Sequence, residues 1–277
     1  MDSLKIDFLV ATINRIDCEF LYPIFKNIDL NDCNVIVINQ CINIAVPQNE
    51  ITTFHKNIHM ISVPDKGTSN SRNMAMMHMK GDIGVFVDDD VVLEHDSVVR
   101  IVNAYLKYKD ADVITFQSQY FSGKYFKSYS ANSFRHNKYT LKNISDIEIT
   151  FRKTIIEKKI RFNTFFGLGA KFLLGEYIIF LMDCYKAKSN IYYVPGVIVK
   201  HPDCLHSGIL FNQNYEVGRG ALFACLSRCL FPLMIFYFAI KKYSMYKNKH
   251  SFCREVYLMF KGAIKYLFVE TWKLFHL

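Results

Sequence analysis

The sequence predicts an α/β fold with a mostly parallel sheet and a helical extension at its C-terminal end. Short apolar runs rich in β-branched residues alternate with segments of helical composition through the first 120 residues, a spacing typical of parallel strands joined by helices. Polar clusters follow several of these runs, and an apolar, basic segment ends the chain. Of the 277 residues, 51% are apolar and 15% aromatic, which excludes disordered and low-complexity proteins.

Strands and helices can be placed in order along the chain. The predicted strands cover residues 6–13, 34–39, 59–63, 82–87 and 112–119, and the predicted helices cover residues 69–80 and 97–108. Farther along, residues 170–185 are expected to form a helix, and residues 191–199 a strand that a Pro-Gly pair interrupts. A change of composition places a domain boundary near residue 215.

Charge is distributed unevenly between a predicted catalytic domain, residues 1–215, and a helical tail, residues 216–277. Residues 1–120 carry 16 acidic and 10 basic side chains, whereas residues 121–161 carry 10 basic and 3 acidic ones. Residues 241–277 add 8 basic and 2 acidic side chains. This pattern fits a nucleic-acid binder, and it equally fits an enzyme for anionic substrates at an anionic membrane.

The tail is expected to lie at a membrane surface. Residues 221–240 form an apolar run of the ~20 residues that a spanning helix needs, but Arg228 and Pro232 interrupt it. An in-plane or hairpin segment is therefore favoured over a spanning helix or a soluble core helix. The last predicted helix is amphipathic, although an ordinary core-packing helix remains the alternative. Its apolar positions are Val256, Met259, Phe260, Ala263, Ile264, Leu267 and Phe268, and its basic positions are Arg254, Lys261 and Lys265.

The cysteines and the N-terminal sequence favour a cytoplasmic location. The eight cysteines include no CxxC pair, which excludes zinc-ribbon and zinc-finger spacings. Asp2, Lys5 and Asp7 interrupt the first apolar run, so no cleavable signal peptide is expected. We therefore expect reduced cysteines and a cytoplasmic protein bound peripherally to the inner face of the cell membrane.

Polar clusters at Thr12–Arg15, Asn39-Gln40 and Asp88–Asp90 follow three of the predicted strands. Ligands of open α/β sheets bind at the carboxyl ends of the strands, so these clusters are expected to form one site. Three consecutive carboxylates raise one another's pKa unless a cation compensates, and Mg²⁺ or Mn²⁺ is the expected cation. A solvated turn or a helix cap is the alternative for the three aspartates.

Five segments in order give the chain a recognisable pattern. They are ATINR after the first strand, KGTSNSRNMAM, MKGDIGVFVDDDVVL, FNTFFGLGAKFLLGEYIIFLMDC and IYYVPGVIVKHP. This series resembles the family 2 glycosyltransferases of the GT-A fold, of the type that builds bacterial surface polysaccharides. The resemblance covers roughly residues 4–202 and implies a Rossmann-like domain that binds a nucleotide-sugar.

The resemblance implies a metal site. In this family the aspartates of a DxD motif hold a divalent ion that bridges the donor diphosphate, which makes Asp88 and Asp90 the candidate ligands for Mg²⁺ or Mn²⁺. Asp89 would face the ribose or the sugar. His201, after the last predicted strand, is a further candidate near the metal, although a lone histidine is more often structural.

The resemblance also implies residues that hold the donor. Thr12, Asn14 and Arg15 would contact the nucleoside, and Arg72 would lie near phosphate or ribose oxygens, with an exposed helix position as its alternative. Where the family commonly has an acidic residue for the base, this chain has Asn39. That departure leaves the identity of the nucleotide open.

Inverting sugar transfer needs a carboxylate that removes the proton of the acceptor hydroxyl. Members of the family often carry Glu-Asp at this point, whereas this chain reads Gly175-Glu176-Tyr177. Glu176 is therefore the first candidate for the base, and Asp183 is the second.

The resemblance thus implies an inverting transferase that moves a sugar from a nucleotide diphosphate, with a UDP-sugar favoured, to a growing lipid-linked glycan. Residues 1–120 would hold the donor, and residues 121–215, where basic and aromatic side chains interleave, would face the acceptor. Three alternatives stay open: a catalytically degenerate relative, a non-enzymatic basic protein that binds membranes or nucleic acid, and a sugar nucleotidyltransferase. A sugar nucleotidyltransferase needs a glycine-rich loop at the position where this chain reads ATINR. Nucleic acid is not the expected partner.

Overall fold

The computed structural model describes residues 4–31, 33–42, 51–203 and 212–275. The strands are β1 (Ile6–Ile13), β2 (Cys33–Gln40), β3 (Ile51–His55), β4 (Ile58–Val63), β5 (Ile83–Asp88), β6 (Val92–Leu93), β7 (Val113–Tyr120), β8 (Phe134–Arg135), β9 (Ile149–Arg152) and β10 (Ile191–His201). The helices are α1 (Leu21–Phe25), α2 (Thr68–His78), α3 (Ser97–Lys107), α4 (Thr154–Glu157), α5 (Glu176–Lys186), α6 (Gln213–Leu226), α7 (Phe231–Lys241), α8 (Tyr243–Tyr246) and α9 (Phe252–Phe275). Two short 3₁₀ helices cover Thr140–Asn143 and Asp146–Glu148.

The strands form one sheet in the order β3-β4-β2-β1-β5-β9-β7-β10-β6, with β8 paired to β10. The centre of the sheet is parallel, since β1 pairs in parallel with β2 and with β5, and β2 pairs in parallel with β4. Strand β9 runs antiparallel between β5 and β7. The predicted fold class, a mixed α/β protein with a mostly parallel central sheet, is confirmed.

Apolar composition explains why β1 occupies the centre. Six of its eight residues, Ile6 to Val10 and Thr12, are buried, and buried strands of parallel sheets are mostly apolar because both of their faces are covered. The register aligns Ala11 with Asp88 on one side and Thr12 with Asn39 on the other. This alignment brings the ends of three strands, and the polar clusters that follow them, to one edge of the sheet.

Two predicted elements differ from those in the structure. The helix expected over residues 170–185 begins only at Glu176, because Gly175 adopts a φ of +100° that ends the preceding turn. The strand expected to be interrupted near residue 195 instead continues to His201 through irregular pairing with β7. Gly196, at a φ of +146°, takes up the irregularity.

The chain divides into two compact units, and the division does not follow chain order. One unit contains residues 1–162 and 180–203 and the other contains residues 163–179 and 204–277. The predicted boundary near residue 215 falls within α6, and residues 163–179 group with the tail. The division into a catalytic domain and a tail therefore stays a prediction.

The second unit is held together by direct contact between α6 and α9. A Cβ atom on Gly220 would lie 1.7 Å from the carbonyl oxygen of Met259, and one on Gly262 would lie 1.8 Å from that of Val217. Only glycine permits backbones this close. Around the crossing, a buried core includes Phe166, Phe172, Ala221, Ile235, Ala263 and Tyr266.

The apolar run at residues 221–240 is divided between α6 and α7. Residues 227–230 separate the two helices, and Pro232 lies in the first turn of α7, where its missing N–H costs no helical hydrogen bond. Among the helices of the described residues, none combines the length and the apolar character required to cross a membrane.

Candidate functional site

Asp89 immediately follows β5 and contacts Thr12 at the end of β1 and Arg15 in the loop that follows it. The hydroxyl of Thr12 donates a hydrogen bond to Asp89 Oδ2 over 2.5 Å, and Nη2 of Arg15 lies 3.2 Å from the same oxygen. Arg15 also donates from Nε to Thr12 Oγ1 over 3.2 Å. Two residues expected near the nucleoside are therefore bound to the middle residue of the aspartate triplet.

Asn39 fixes the backbone of this loop from the end of β2. Its Oδ1 accepts from the Arg15 N–H over 3.0 Å, and its Nδ2 donates to the Arg15 carbonyl over 2.7 Å. The side chain is fully buried, and an aspartate in its place could accept but not donate. This gives a physical reason for an amide where the family commonly has an acid.

Asn14 takes the unusual backbone conformation of the same loop. Its φ is +54°, in the left-handed region that asparagine tolerates better than most residues. Its Oδ1 accepts from the Ile42 N–H over 2.7 Å, and its own N–H donates to the Gln40 carbonyl over 3.0 Å. Asn14 therefore joins the loop after β1 to the end of β2.

Arg72 lies on α2 and is 4% exposed, which excludes the alternative of an exposed helix residue. Its Nη2 contacts Asp146 over 2.5 Å and Asp88 over 3.3 Å. The guanidinium carbon also lies 5.6 Å from the centroid of the Phe162 ring and 5.8 Å from that of Phe86, within the range of cation–π attraction. Arg72 thus joins the first aspartate of the triplet to a fourth carboxylate.

Asp146 is a site residue that the sequence did not indicate. It opens the 3₁₀ helix before β9, 56 to 58 residues after the triplet, and no motif surrounds it. Although burial opposes its ionisation, Arg72 and a hydrogen bond from the Ser145 hydroxyl hold its pKa below the ordinary value. A negative charge therefore remains beside Asp88.

Electrostatics at Asp88 indicate an excess of negative charge. The side chain is 35% accessible, but its carboxyl is packed among protein atoms, and this burial together with the charge of Asp146 raises its pKa to about 7, against the opposing effect of Arg72. The charges of Asp89 and Asp90 also raise the pKa of Asp88. Added positive charge would relieve this repulsion.

Asp90 points toward His201 at the end of β10. The distance from Asp90 Oδ2 to His201 Nε2 is 3.5 Å, and His201 Nδ1 lies 2.8 Å from the Pro202 carbonyl. Because a carbonyl only accepts, Nδ1 carries a proton, and in the neutral ring this leaves the lone pair of Nε2 facing Asp90. Histidine ligands of metals commonly have this arrangement, with the far nitrogen bound to a carbonyl.

The three aspartates thus have separate partners. Within the described part of the chain, no three His, Cys, Asp or Glu side chains are grouped so that they could hold a metal ion. Asp88, Asp90 and His201 nevertheless fit a divalent cation by their donor chemistry, because carboxylate oxygens suit Mg²⁺ and Mn²⁺ and imidazole accepts Mn²⁺. The metal site predicted from the sequence stays a prediction.

The two candidate bases lie in different environments. Asp183, on α5, pairs with Lys186 over 3.1 Å and is 42% exposed, and it makes no contact with the aspartate triplet. Glu176, the first residue of α5, is 7% exposed and belongs to the second unit. Burial and its place in the helix distinguish Glu176 from a solvated helical glutamate.

The basic and aromatic segment after β7 lines an open groove of about 740 Å³. Lys124, Tyr125 and Tyr129 are among the residues that line it. Glu148, which is 1% exposed, accepts from the Tyr129 hydroxyl over 2.5 Å and pairs with Lys127 over 2.7 Å. Buried Glu148 therefore fixes one wall of the groove, whereas Lys124 and Tyr125 remain available to a ligand.

Comparisons with known proteins identify the family of the chain and structures that share its fold. The family model described as "Glycosyl transferase family 2" matches residues 8–174, whereas no curated protein matches the chain. Among solved structures, S. aureus TarS 1-349 in complex with UDP-GlcNAc is similar with a TM-score of 0.63 and 12% identity, covering 90% of this chain and 76% of that one. The same protein in complex with UDP gives 0.58 and 12% over the same shares. At such identities the likeness concerns the fold alone.

Proposed function

Since the chain belongs to glycosyl transferase family 2 and is a glycosyltransferase, we propose that it transfers a sugar from a nucleotide diphosphate to a lipid-linked surface glycan with inversion. The observation that carries this proposal is the convergence of Thr12, Arg15 and Arg72 on the Asp88–Asp90 triplet at one edge of the sheet. The sequence after β1 does not support a sugar nucleotidyltransferase, because it reads ATINR where that class of enzyme needs a glycine-rich phosphate-binding loop.

We propose a UDP-sugar as the donor. Two of the solved TarS structures that resemble this chain are complexes with UDP-GlcNAc and with UDP, and TarS shares the fold of this chain. In this chain, Thr12 and Arg15 would contact the nucleoside, and Asp89 would orient them. Arg72, held by Asp146 on one side, would present its guanidinium near the donor phosphates.

Asp88 and Asp90, with His201, would hold Mg²⁺ or Mn²⁺. When bound, such an ion supplies positive charge to a diphosphate leaving group. The raised pKa of Asp88 and the position of His201 Nε2, 3.5 Å from Asp90 Oδ2, support a cation at this place. The chain's own cations, Arg15 and Arg72, are already paired with carboxylates.

Glu176 is the base that we propose. Its carboxylate would take the proton of the acceptor hydroxyl as that oxygen attacks the anomeric carbon and the bond from this carbon to the diphosphate oxygen breaks. Attack from the side opposite the leaving group inverts the anomeric centre. Asp183, which is exposed and paired with Lys186, is the weaker candidate.

The groove beside Lys124 and Tyr125 is the proposed acceptor site. Aromatic faces pack against sugar rings, and lysine attracts the phosphate of a lipid-linked diphosphate. Such an acceptor is met at a membrane, so we propose that the protein works at the anionic inner face of the cell membrane. Nucleic acid is not part of this proposal.

The test is nucleotide release from a panel of sugar nucleotides with Mg²⁺ or Mn²⁺. The wild type is expected to hydrolyse a UDP-sugar slowly without acceptor, and Asp90→Ala is expected to lose at least about tenfold in rate. Glu157→Ala, which removes an exposed carboxylate on α4, is the matched control. Equal rates for the wild type and Asp90→Ala, or no release from any donor, would contradict the proposal.

Glu176→Gln separates the base from the donor site. We expect lost transfer with retained donor binding, since the amide keeps the shape of the side chain but cannot accept a proton. Unchanged transfer would remove Glu176 as the base. A degenerate transferase would bind the donor but show no turnover in the wild type.

A further inference from the structure

Helix α7 exposes an apolar stripe. Its residues Leu233, Tyr237 and Ile240 are 67%, 63% and 67% exposed, and Phe236 is 44% exposed. The spacing places them on one side of the helix, whereas Ile235 and Ala239, on the other side, are fully buried in the second unit. In a helix of this unit, four large apolar side chains thus face solvent rather than the core.

Helix α9 presents a second stripe in which apolar and basic residues alternate. Ile264 and Phe268 are 59% and 76% exposed, and with Lys261 and Lys265 they line a groove of about 560 Å³. The sequence placed these lysines opposite the apolar face. The structure shows that Ile264 and Phe268 share the lysines' side, because Met259 and Ala263 occupy the buried side of the helix.

The two stripes adjoin one another. The ring of Phe260, which also lines the groove on α9, lies 5.9 Å from that of Phe236 and 6.0 Å from that of Phe231. At the end of α7, the ammonium group of Lys241 lies 3.2 Å from the Tyr237 hydroxyl. We call this surface of α7 and α9 the docking face. Large exposed apolar patches of this kind mark interaction sites.

Charge at the docking face has one sign. Lysines lie along it and in the connecting segment, at positions Lys241, Lys242, Lys247, Lys249, Lys261 and Lys265. The two acidic residues of the sequence from 231 to 277 do not offset this charge, since Glu255 is fully buried and Glu270 pairs with Arg228 over 2.9 Å. A partner surface must therefore be both apolar and negatively charged.

We propose that the docking face binds the surface of an anionic phospholipid bilayer, with the two helices lying in the plane of the interface. The apolar side chains would enter the boundary between head groups and acyl chains, and the lysines would meet the lipid phosphates. A second copy of the chain fits less well, because a symmetric contact would set lysine against lysine. This inference deepens the proposed location at a membrane and does not depend on the chemistry at Asp88–Asp90.

The test is sedimentation with vesicles of phosphatidylcholine alone and of phosphatidylcholine mixed with anionic phosphatidylglycerol. The wild type is expected to sediment with the anionic vesicles. Ile264→Glu/Phe268→Glu is expected to lose at least about tenfold in binding, because it places two carboxylates at the interface. The matched control, Val99→Glu/Leu106→Glu, alters two apolar residues that α3 exposes to a similar degree and should bind as the wild type does.

Lysine variants separate charge from apolar insertion. Lys261→Gln/Lys265→Gln should weaken binding to the anionic vesicles only, and raised salt should reproduce the loss, whereas Lys107→Gln/Lys109→Gln on the first unit should have no effect. Nucleotide release by every variant is measured in parallel without vesicles. A variant that still releases nucleotide but no longer binds vesicles would support the docking face and leave the proposed function unaffected. If the wild type releases no nucleotide, that result would contradict the proposed function but not the docking face.

Two outcomes would overturn the inference. One is vesicle binding that Ile264→Glu/Phe268→Glu leaves unchanged. The other is a wild-type dimer in solution, measured by light scattering after gel filtration, that the same variant converts to a monomer while vesicle binding is absent. The second result would assign the docking face to a further copy of the chain.

Discussion

Each aspartate of the Asp88–Asp90 triplet has its own partner among the surrounding residues. Asp88 faces Arg72, Asp89 faces Thr12 and Arg15, and Asp90 faces His201. Asp89 therefore supports the loop after β1, whereas Asp88 and Asp90 contact Arg72 and His201. The site therefore contains four carboxylates, those of the triplet and of Asp146, and two arginines that pair with three of them.

Asn39 shows what a single amide contributes, and Asn39→Asp tests it. The carboxylate cannot donate to the Arg15 carbonyl, which would then be left without the hydrogen bond that it has now. We expect a loss of about 1–3 kcal/mol in the free energy of unfolding, measured by urea denaturation, together with weaker donor binding. Asn31→Asp, at an exposed turn, should change neither, and a fully stable Asn39→Asp would contradict this role.

The grouping of Thr12, Arg15, Arg72 and the triplet could be predicted from the sequence, because strand ends and the resemblance marked these residues; their roles stay predictions. Asp146 could not be predicted. It follows no strand, it lies far along the chain, and only the packing of β9 beside β5 brings its neighbourhood to Arg72. A lone aspartate in a polar segment carries no such information.

Among the helices, α6 and α9 make a close backbone contact that stabilises the second unit. Gly220→Ala should destabilise this unit by about 3 kcal/mol or more, since the new Cβ would lie 1.7 Å from a backbone oxygen that cannot move aside cheaply. Gly218→Ala on the same helix is the control, because its Cβ would lie 3.3 Å from the nearest atom, Leu173 N. Thermal unfolding of both variants checks the prediction, and equal stability would contradict it.

Strands and helices with a clear hydrophobic pattern could be predicted from the sequence. Short strands that depend on pairing with distant neighbours could not. The first strand was predicted at Ile6–Ile13 and lies there, because a short, largely apolar run with several β-branched residues is typical of a buried strand in an α/β protein. The short strands β6, β8 and β9 have two to four residues each, too few for a periodic signal. Their pairing depends on neighbours distant in sequence.

At the scale of the whole molecule, a buried pair of acids links stability to pH. Burial raises the pKa of Glu216 to about 8, helped by its hydrogen bond with Glu255 and opposed by Arg219. His250 Nε2 lies 2.5 Å from Glu255 Oε2. The folded state therefore keeps a proton on Glu216 that the unfolded state releases above its ordinary pKa near 4.5.

The sign of the pH dependence follows from this difference. Because the folded state binds more protons between about pH 4.5 and pH 8, the contribution of Glu216 to stability is fully present below that range and is lost as the pH rises through it. We expect the melting temperature of the wild type to fall over this range and the slope to be smaller in Glu216→Gln. Parallel slopes for the two proteins would show that Glu216 does not hold the proton.

We propose that the Asp88–Asp90 triplet and its partners bind a nucleoside diphosphate together with a divalent cation. The most direct measurement is calorimetric titration of a panel of nucleoside diphosphates, with UDP included, in the presence and absence of Mn²⁺. We predict that UDP binds most tightly, that binding requires Mn²⁺, and that Asp88→Asn/Asp90→Asn weakens it at least about tenfold, or ~1.4 kcal/mol, while Glu157→Gln leaves it unchanged. Binding that is equally tight in the double variant would contradict the account.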